Sequence, residues 1–161
     1  MIVVSDTSPI TSLAGIGRLE LLQQLYSRVI IPQAVYDEMV RVGKAVPGAF
    51  EVQTFAWIET QQVSDFNQVS VLQADLDPGE AEAIILAMEL NAELLLMDER
   101  PGRTIALHYG INVSGVLGLL LEAKRKGLIS AVKPVMDQLI NEVEFRVSSQ
   151  LYTIILQSAG E

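Results

Sequence analysis

The chain has 161 residues, half of them hydrophobic, with a formal net charge of −9. The length suits one domain with a real core, and the charge argues against broad attraction to nucleic acid or an anionic membrane. With no cysteine and only one histidine, His108, the chain cannot build a disulfide framework, a thiolate metal site or a His-rich zinc site.

No apolar run approaches the roughly 20 residues of a membrane-spanning helix, and the first apolar run is too short for a secretory signal. A cytoplasmic protein without a membrane span is expected. "IVV" (2–4) is rich in β-branched residues and predicts a first strand. "PITSLAGIGRLELLQQLY" (9–26) follows with near-helical apolar spacing, and Gly15 and Gly17 divide it into two short helices. "RVIIP" (28–32) predicts a second strand. "PQAVYDEMVRV" (32–42) predicts a helix with Pro32 in its first turn and Ala34, Val35, Met39 and Val42 on its buried side.

"GKAVPGAFEVQTF" (43–55) holds a break and possible room for another helix, "AWIETQQV" (56–63) a third strand, and "SDFNQVSVLQADL" (64–76) is polar and ambiguous. "LDPGEAEAIILAMELNA" (76–92) is the clearest helix, with Asp77 as N-cap, Pro78 in first position and Glu80 at the capping-box spacing. "AELLLMDE" (92–99) is a buried strand ending on two acids. "GRTIALHYG" (102–110) is a short helix, "INVSG" (111–115) a short strand, and "SGVLGLLLEAKRKGLI" (114–129) an amphipathic helix whose basic last turn suits its dipole. Residues 133–161 predict two more helices. Short apolar strands alternating with helices imply an α/β fold, its parallel sheet of four to five strands covered on both faces.

In such sheets functional groups gather where strands end and helices begin. Asp6 ends the first strand, Asp98 and Glu99 end the fourth, Glu80 opens the long central helix, and Glu38 sits on the helix after the second strand. Each has a plain structural use, as a cap, a turn residue or a solvated helix acid. Together, converging carboxylates repel one another unless a cation joins them, so losing one, as in Asp98→Asn, is expected to stabilise the metal-free protein. An oxygen-only donor set favours Mg²⁺ or Mn²⁺, and such a site points toward phosphodiester or phosphoryl chemistry. Arg100 and Arg103 follow Asp98 closely and are placed to contact a phosphate. An aspartyl-phosphate phosphatase reading fails because "SDTSP" supplies one acid where Asp-x-Asp is needed, and no P-loop motif occurs.

The stretches "VVSDTSPI", "IIPQAVYDEMV", "LDPGEAEAIILAMELNAELLLMDERPGR" and "INVSGVLGLLLEAKRKGLI" resemble, in order and spacing, PIN-domain proteins of the DUF3368-type branch related to VapC-type toxins. The resemblance covers about residues 1–130 and implies a three-layer α/β/α PIN-like fold over a single domain, 1–161, with 133–161 as a helical C-terminal extension. It implies a ribonuclease that hydrolyses RNA with Mg²⁺ or Mn²⁺ held by Asp6, Glu38, Glu80 and Asp98. Glu82 is an alternative for the third place and Glu99 for the fourth, while Thr7 and Ser8 match small polar residues beside the first acid. It also implies the toxin of a toxin–antitoxin pair, an antitoxin protein partner and a homodimer. Two departures stand out: "LLMDER" replaces the Thr-x-Asp usual at the end of the fourth strand, and a Glu takes the third place. A catalytically silent PIN-like protein that binds nucleic acid or regulates a partner is the other reading these residues leave open.

Overall fold

The computed structural model describes residues 1–41 and 46–161. Five parallel strands, β1 (Val3–Ser5), β2 (Val29–Pro32), β3 (Ile58–Gln61), β4 (Leu94–Leu96) and β5 (Val113–Ser114), form one sheet in the order β3-β2-β1-β4-β5. The helices are α1 (Thr7–Gly15), α2 (Glu20–Tyr26), α3 (Gln33–Val40), α4 (Ala49–Thr54), α5 (Phe66–Leu72), α6 (Pro78–Glu89), α7 (Arg100–His108), α8 (Val116–Arg125), α9 (Lys133–Glu142) and α10 (Ser149–Ser158).

Successive strand side chains point to opposite faces, and here each face has its own core. Val3, Val29, Ile31 and Leu96 pack with buried residues of α1, α2, α8 and α9. Val4, Ile30, Leu95 and Met97 pack with α5, α6 and α7. The result is the expected three-layer α/β/α arrangement. Because both faces are covered, the strands read as nearly unbroken apolar runs rather than alternating ones.

Several elements differ from expectation in extent. β4 pairs only over Leu94–Leu96, although the Met97 N–H still bonds the Ser114 carbonyl at 2.9 Å. Pro32 closes β2 and serves as N-cap of α3 with extended backbone, so the helix begins at Gln33. Val35 and Met39 are buried and Ala34 is half-buried as expected, while Val42 lies outside the described residues. The ambiguous segment forms α5, nucleated by an Asp65 N-cap that accepts the Gln68 N–H at 3.1 Å. Only Val69 and Leu72 of that helix are buried, which is why its periodicity is faint in the sequence. α7 starts two residues earlier than its sequence pattern suggests, with Pro101 in its first turn. His108 ends that helix, exposed, as an ordinary surface histidine would be. Among the described residues no helix is long and apolar enough to cross a membrane.

The tail folds back on the domain. Leu139 of α9 and Ile155 of α10 join the first core. The Glu161 carboxylate accepts the Val132 and Lys133 N–H groups, at 2.7 and 3.1 Å, and the Lys124 ammonium at 3.0 Å. One side chain thus satisfies amides at the start of α9 and ties α10 to α8. Arg125 and Lys126 pair with Glu122 on their own helix. Replacing Glu161 by Ala is expected to speed hydrogen exchange of the α10 amides while those of the central strands keep their protection.

Candidate functional site

With strand order β3-β2-β1-β4-β5, the chain reverses its direction of travel across the sheet between β1 and β4. The crevice beyond the carboxyl ends of two such strands is where parallel α/β sheets bind ligands. The register pairs Ser5 with Leu96, and the Asp6 N–H bonds the Leu96 carbonyl at 2.9 Å, so residues ninety positions apart leave the sheet side by side.

Asp6 occupies the N-cap position of α1 but makes no side-chain capping bond. It is only 4% exposed. Burial pushes its carboxyl up to about 7; the Thr7 amide works against this, and Asp77, Glu80 and Glu38 add to it. It lines a cleft of about 210 Å³ together with Thr7, Ser8, Thr11, Glu38, Asp77, Glu80 and Glu99.

Each wall of this cleft is fixed by local structure. Glu38 projects from α3, and its Oε2 accepts the Thr7 hydroxyl at 2.8 Å. A methyl group on Gly79 would lie 3.0 Å from that same oxygen, so the absence of a side chain there lets Glu38 approach α6 closely. Glu80 and Asp77 form a reciprocal capping box: the Glu80 N–H bonds Asp77 Oδ1 at 2.8 Å, and the Asp77 N–H bonds Glu80 Oε1 at 3.2 Å. Only one Glu80 oxygen is used in this way. Burial raises its proton affinity above the ordinary glutamate range, with the Asp77 amide opposing. Capping and lining the cleft are therefore compatible roles for one side chain.

Of the two acids after β4, Glu99 lines the cleft and Asp98 does not. Asp98 lies behind Ser8. Its Oδ1 accepts the Val116 N–H at the start of α8 at 2.8 Å, and its Oδ2 accepts the Ser8 hydroxyl at 3.0 Å. Burial raises its proton affinity, while these two donors and nearby Arg103 lower it. Gly115 permits this approach, since a Cβ there would stand 2.6 Å from Asp98 Oδ1. Glu82 points elsewhere and accepts the Ala34 N–H at the start of α3 at 3.1 Å. Arg103 donates to the Met97 carbonyl at 3.1 Å, and it and Arg100 line a larger cavity beside Asp98.

The structure thus brings Asp6, Glu38, Glu80, Glu99, Thr7 and Ser8 to one cleft and sets Asp98, Arg100 and Arg103 next to it. Asp77 was legible only as a cap, and its place in the cleft lining follows from the same capping box. Among the described residues no three Asp, Glu or His side chains stand close enough, as placed, to grip one ion. The donors are nevertheless all oxygens, and the innermost carboxyl is held at high proton affinity, the condition that a hard cation relieves. A family model described as DUF3368, a PIN domain, matches residues 2–161 and so includes α9 and α10. No curated protein matches the chain.

Two variants separate the acids physically. The folded Asp6 carboxyl keeps its proton up to about pH 7, against an ordinary 3.8. The stability this confers is full below pH 3.8 and is lost as pH rises through 7, a change on the order of 4 kcal/mol. In EDTA, Asp6→Asn should unfold at higher urea than the parent at pH 8 and show a flatter profile between pH 4 and 7. Asp98→Ala should instead lose about 1–3 kcal/mol in the same urea titrations, because the Val116 N–H is left without its acceptor.

Proposed function

The chain belongs to the PIN-domain family, whose members are generally nucleases, and from that premise we propose that it is a metal-dependent endoribonuclease hydrolysing RNA phosphodiester bonds. The observation that carries the proposal is the cleft at the β1–β4 switch point, where Glu38, Glu80 and Glu99 line the same crevice as the nearly buried Asp6 carboxyl. The resemblance to VapC-type toxins extends the proposal to the toxin of a toxin–antitoxin pair, with an antitoxin partner and a homodimeric state.

Asp6, Glu38 and Glu80 would hold Mg²⁺ or Mn²⁺, with Glu99 next in line and Asp98 beside them. When bound, such an ion supplies Lewis-acid polarisation of the phosphodiester and lowers the pKa of a water. The chain's own residues do the rest. Thr7 fixes the orientation of Glu38, and the Asp77 amide fixes that of Glu80. Ser8 and the Val116 amide hold both oxygens of Asp98 beside the crevice. Arg100 and Arg103 set positive charge next to the acids, where a phosphate entering the crevice would need it. The Met97 carbonyl anchors one Arg103 nitrogen, and the rest of the guanidinium, outside any ion pair, is able to meet a phosphate.

The decisive assay is cleavage of a single-stranded RNA in Mn²⁺, with EDTA as control. Asp6→Asn and Glu80→Gln should each lower the rate by about 100-fold or more. Each should also abolish the rise in melting temperature that Mn²⁺ gives the parent protein. Equal cleavage by variants and parent, unaffected by EDTA, would overturn the proposal. Tight RNA binding without cleavage under any divalent ion would favour the silent, nucleic-acid-binding reading.

A further inference from the structure

The eleven lysines and arginines are unevenly committed. Lys44 lies outside the described residues, and Arg28, Arg41, Lys124, Arg125, Lys126 and Lys133 stand in ion pairs with carboxylates. Among the described residues four basic side chains make no such pair: Arg18, Arg100, Arg103 and Arg146. Three of these four line one cavity of about 510 Å³ between α7, β5, α8 and α10. In a chain of net charge −9, three arginines outside any ion pair, one of them bonded to the Met97 carbonyl, share one hollow with a single carboxylate, Asp98, and leave it locally more positive than the overall charge suggests.

The cavity is not isolated. It shares Asp98, Phe145 and Arg146 with a neighbouring hollow of about 380 Å³, which in turn shares Ser8 and Glu99 with the acid cleft. On the opposite side, Glu38 and Asp77 belong both to the acid cleft and to a further hollow of about 390 Å³. One trough therefore crosses the sheet edge, with carboxylates at its middle and arginines at one end.

The arginine end is built by the tail. Phe145 and Arg146 lie in the connection between α9 and α10, and Leu151 and Ile155 of α10 form the apolar wall. Glu144, just before them, has a left-handed backbone (φ 57°), a conformation uncommon outside glycine and asparagine. It ends α9 and turns the chain so that Phe145, whose N–H bonds the Leu139 carbonyl at 3.0 Å, is half-buried in the trough while Arg146 remains exposed.

We infer that the C-terminal segment builds a nucleotide subsite: Arg100, Arg103 and Arg146 take the phosphate, and Phe145 takes the base, of a single-stranded RNA residue flanking the bond that lies at the acids. The inference rests on the ribonuclease reading and adds to it a role for residues 133–161. Its chemistry suits that occupant. Guanidinium groups grip phosphate oxygens in pairs, an aromatic face stacks on any base, and a volume near 510 Å³ falls within the roughly 300–1,000 Å³ of small-molecule sites. The subsite would be indifferent to sequence, since neither contact reads a base edge.

The test is binding, so that it stands whether or not the chain cleaves. Fluorescence anisotropy with a labelled nine-nucleotide single-stranded RNA, in Ca²⁺ to suppress turnover, compares the full-length parent with Arg146→Ala, Phe145→Leu, Phe145→Trp and Arg18→Ala. Arg18→Ala removes the same charge away from the trough. Arg146→Ala and Phe145→Leu should weaken binding about 10-fold, with a salt slope smaller by about 1 for the arginine variant. Phe145→Trp should bind as the parent does, and so should Arg18→Ala. Thermal melts of all four identify any loss that merely reflects unfolding, and Arg146, being exposed, keeps the test valid if the Phe145 variants fail to fold. Parent-like binding by Arg146→Ala, or an equal loss in Arg18→Ala, overturns the inference. So does a change in solution mass that tracks the Arg146→Ala loss, since the face would then join copies of the chain. Absence of cleavage by a parent that still binds RNA through Arg146 would sink the ribonuclease reading and leave the subsite standing.

Discussion

Three registered residue pairs between β1 and β4 bring together the two halves of the site. Val3 faces Leu94, Val4 faces Leu95 and Ser5 faces Leu96, and the Asp6 amide extends the ladder by one bond. Once that pairing forms, the next residue of each strand must emerge at the same sheet edge. The consequence is electrostatic. Asp6 is driven out of water, and its proton affinity rises through that burial and, to a lesser degree, through the charges of Asp77, Glu80 and Glu38. The apolar pairing that makes the core also creates the unfavourable crowding that a bound cation would offset.

Helix ends decide which acids share that crowding. A parallel α/β sheet puts many helix N-termini near its carboxyl edge, and each leaves N–H groups in need of acceptors. The chain meets that need with acids: Asp77 and Glu80 at α6, Asp98 at α8, Glu82 at α3. An acid whose two oxygens are both engaged, as in Asp98, becomes a strut. An acid with one oxygen left over, as in Glu80, can cap and still face the cleft. Asp6, at a cap position yet without a capping bond, stands where the charges of Asp77, Glu80 and Glu38 add to the effect of its burial.

This division explains what the sequence could and could not show. The alternation of short apolar runs with helical patterns was enough for the parallel sheet, because strands buried on both faces have a distinct signature. The capping box at Asp77–Glu80 was readable from spacing alone, since it is a local bond. The choice between Asp98 and Glu99 was not, because it depends on Val116, eighteen residues later, presenting its amide to Asp98. α5 was hidden for a different reason: with two buried residues in seven it has almost no apolar stripe to read. Arg146 gave no signal at all, since only the fold-back of α9 and α10 carries it to the crevice.

Net charge is the coarsest guide of all. At −9 the chain should repel a polyanion at long range, yet screening in physiological salt confines that repulsion to roughly 8 Å. Within that distance the distribution matters more than the sum. Six basic residues are already neutralised by surface carboxylates. The acids of the cleft offer the oxygen donors a hard cation prefers, and three guanidinium groups outside any ion pair gather at the neighbouring hollow. On the ribonuclease reading, a trough acidic at its centre and basic at one end would repel a polyanion less once a cation sat among its acids. On that reading the cation would act through the charge of Asp6, Glu38 and Glu80 rather than through any movement of the fold.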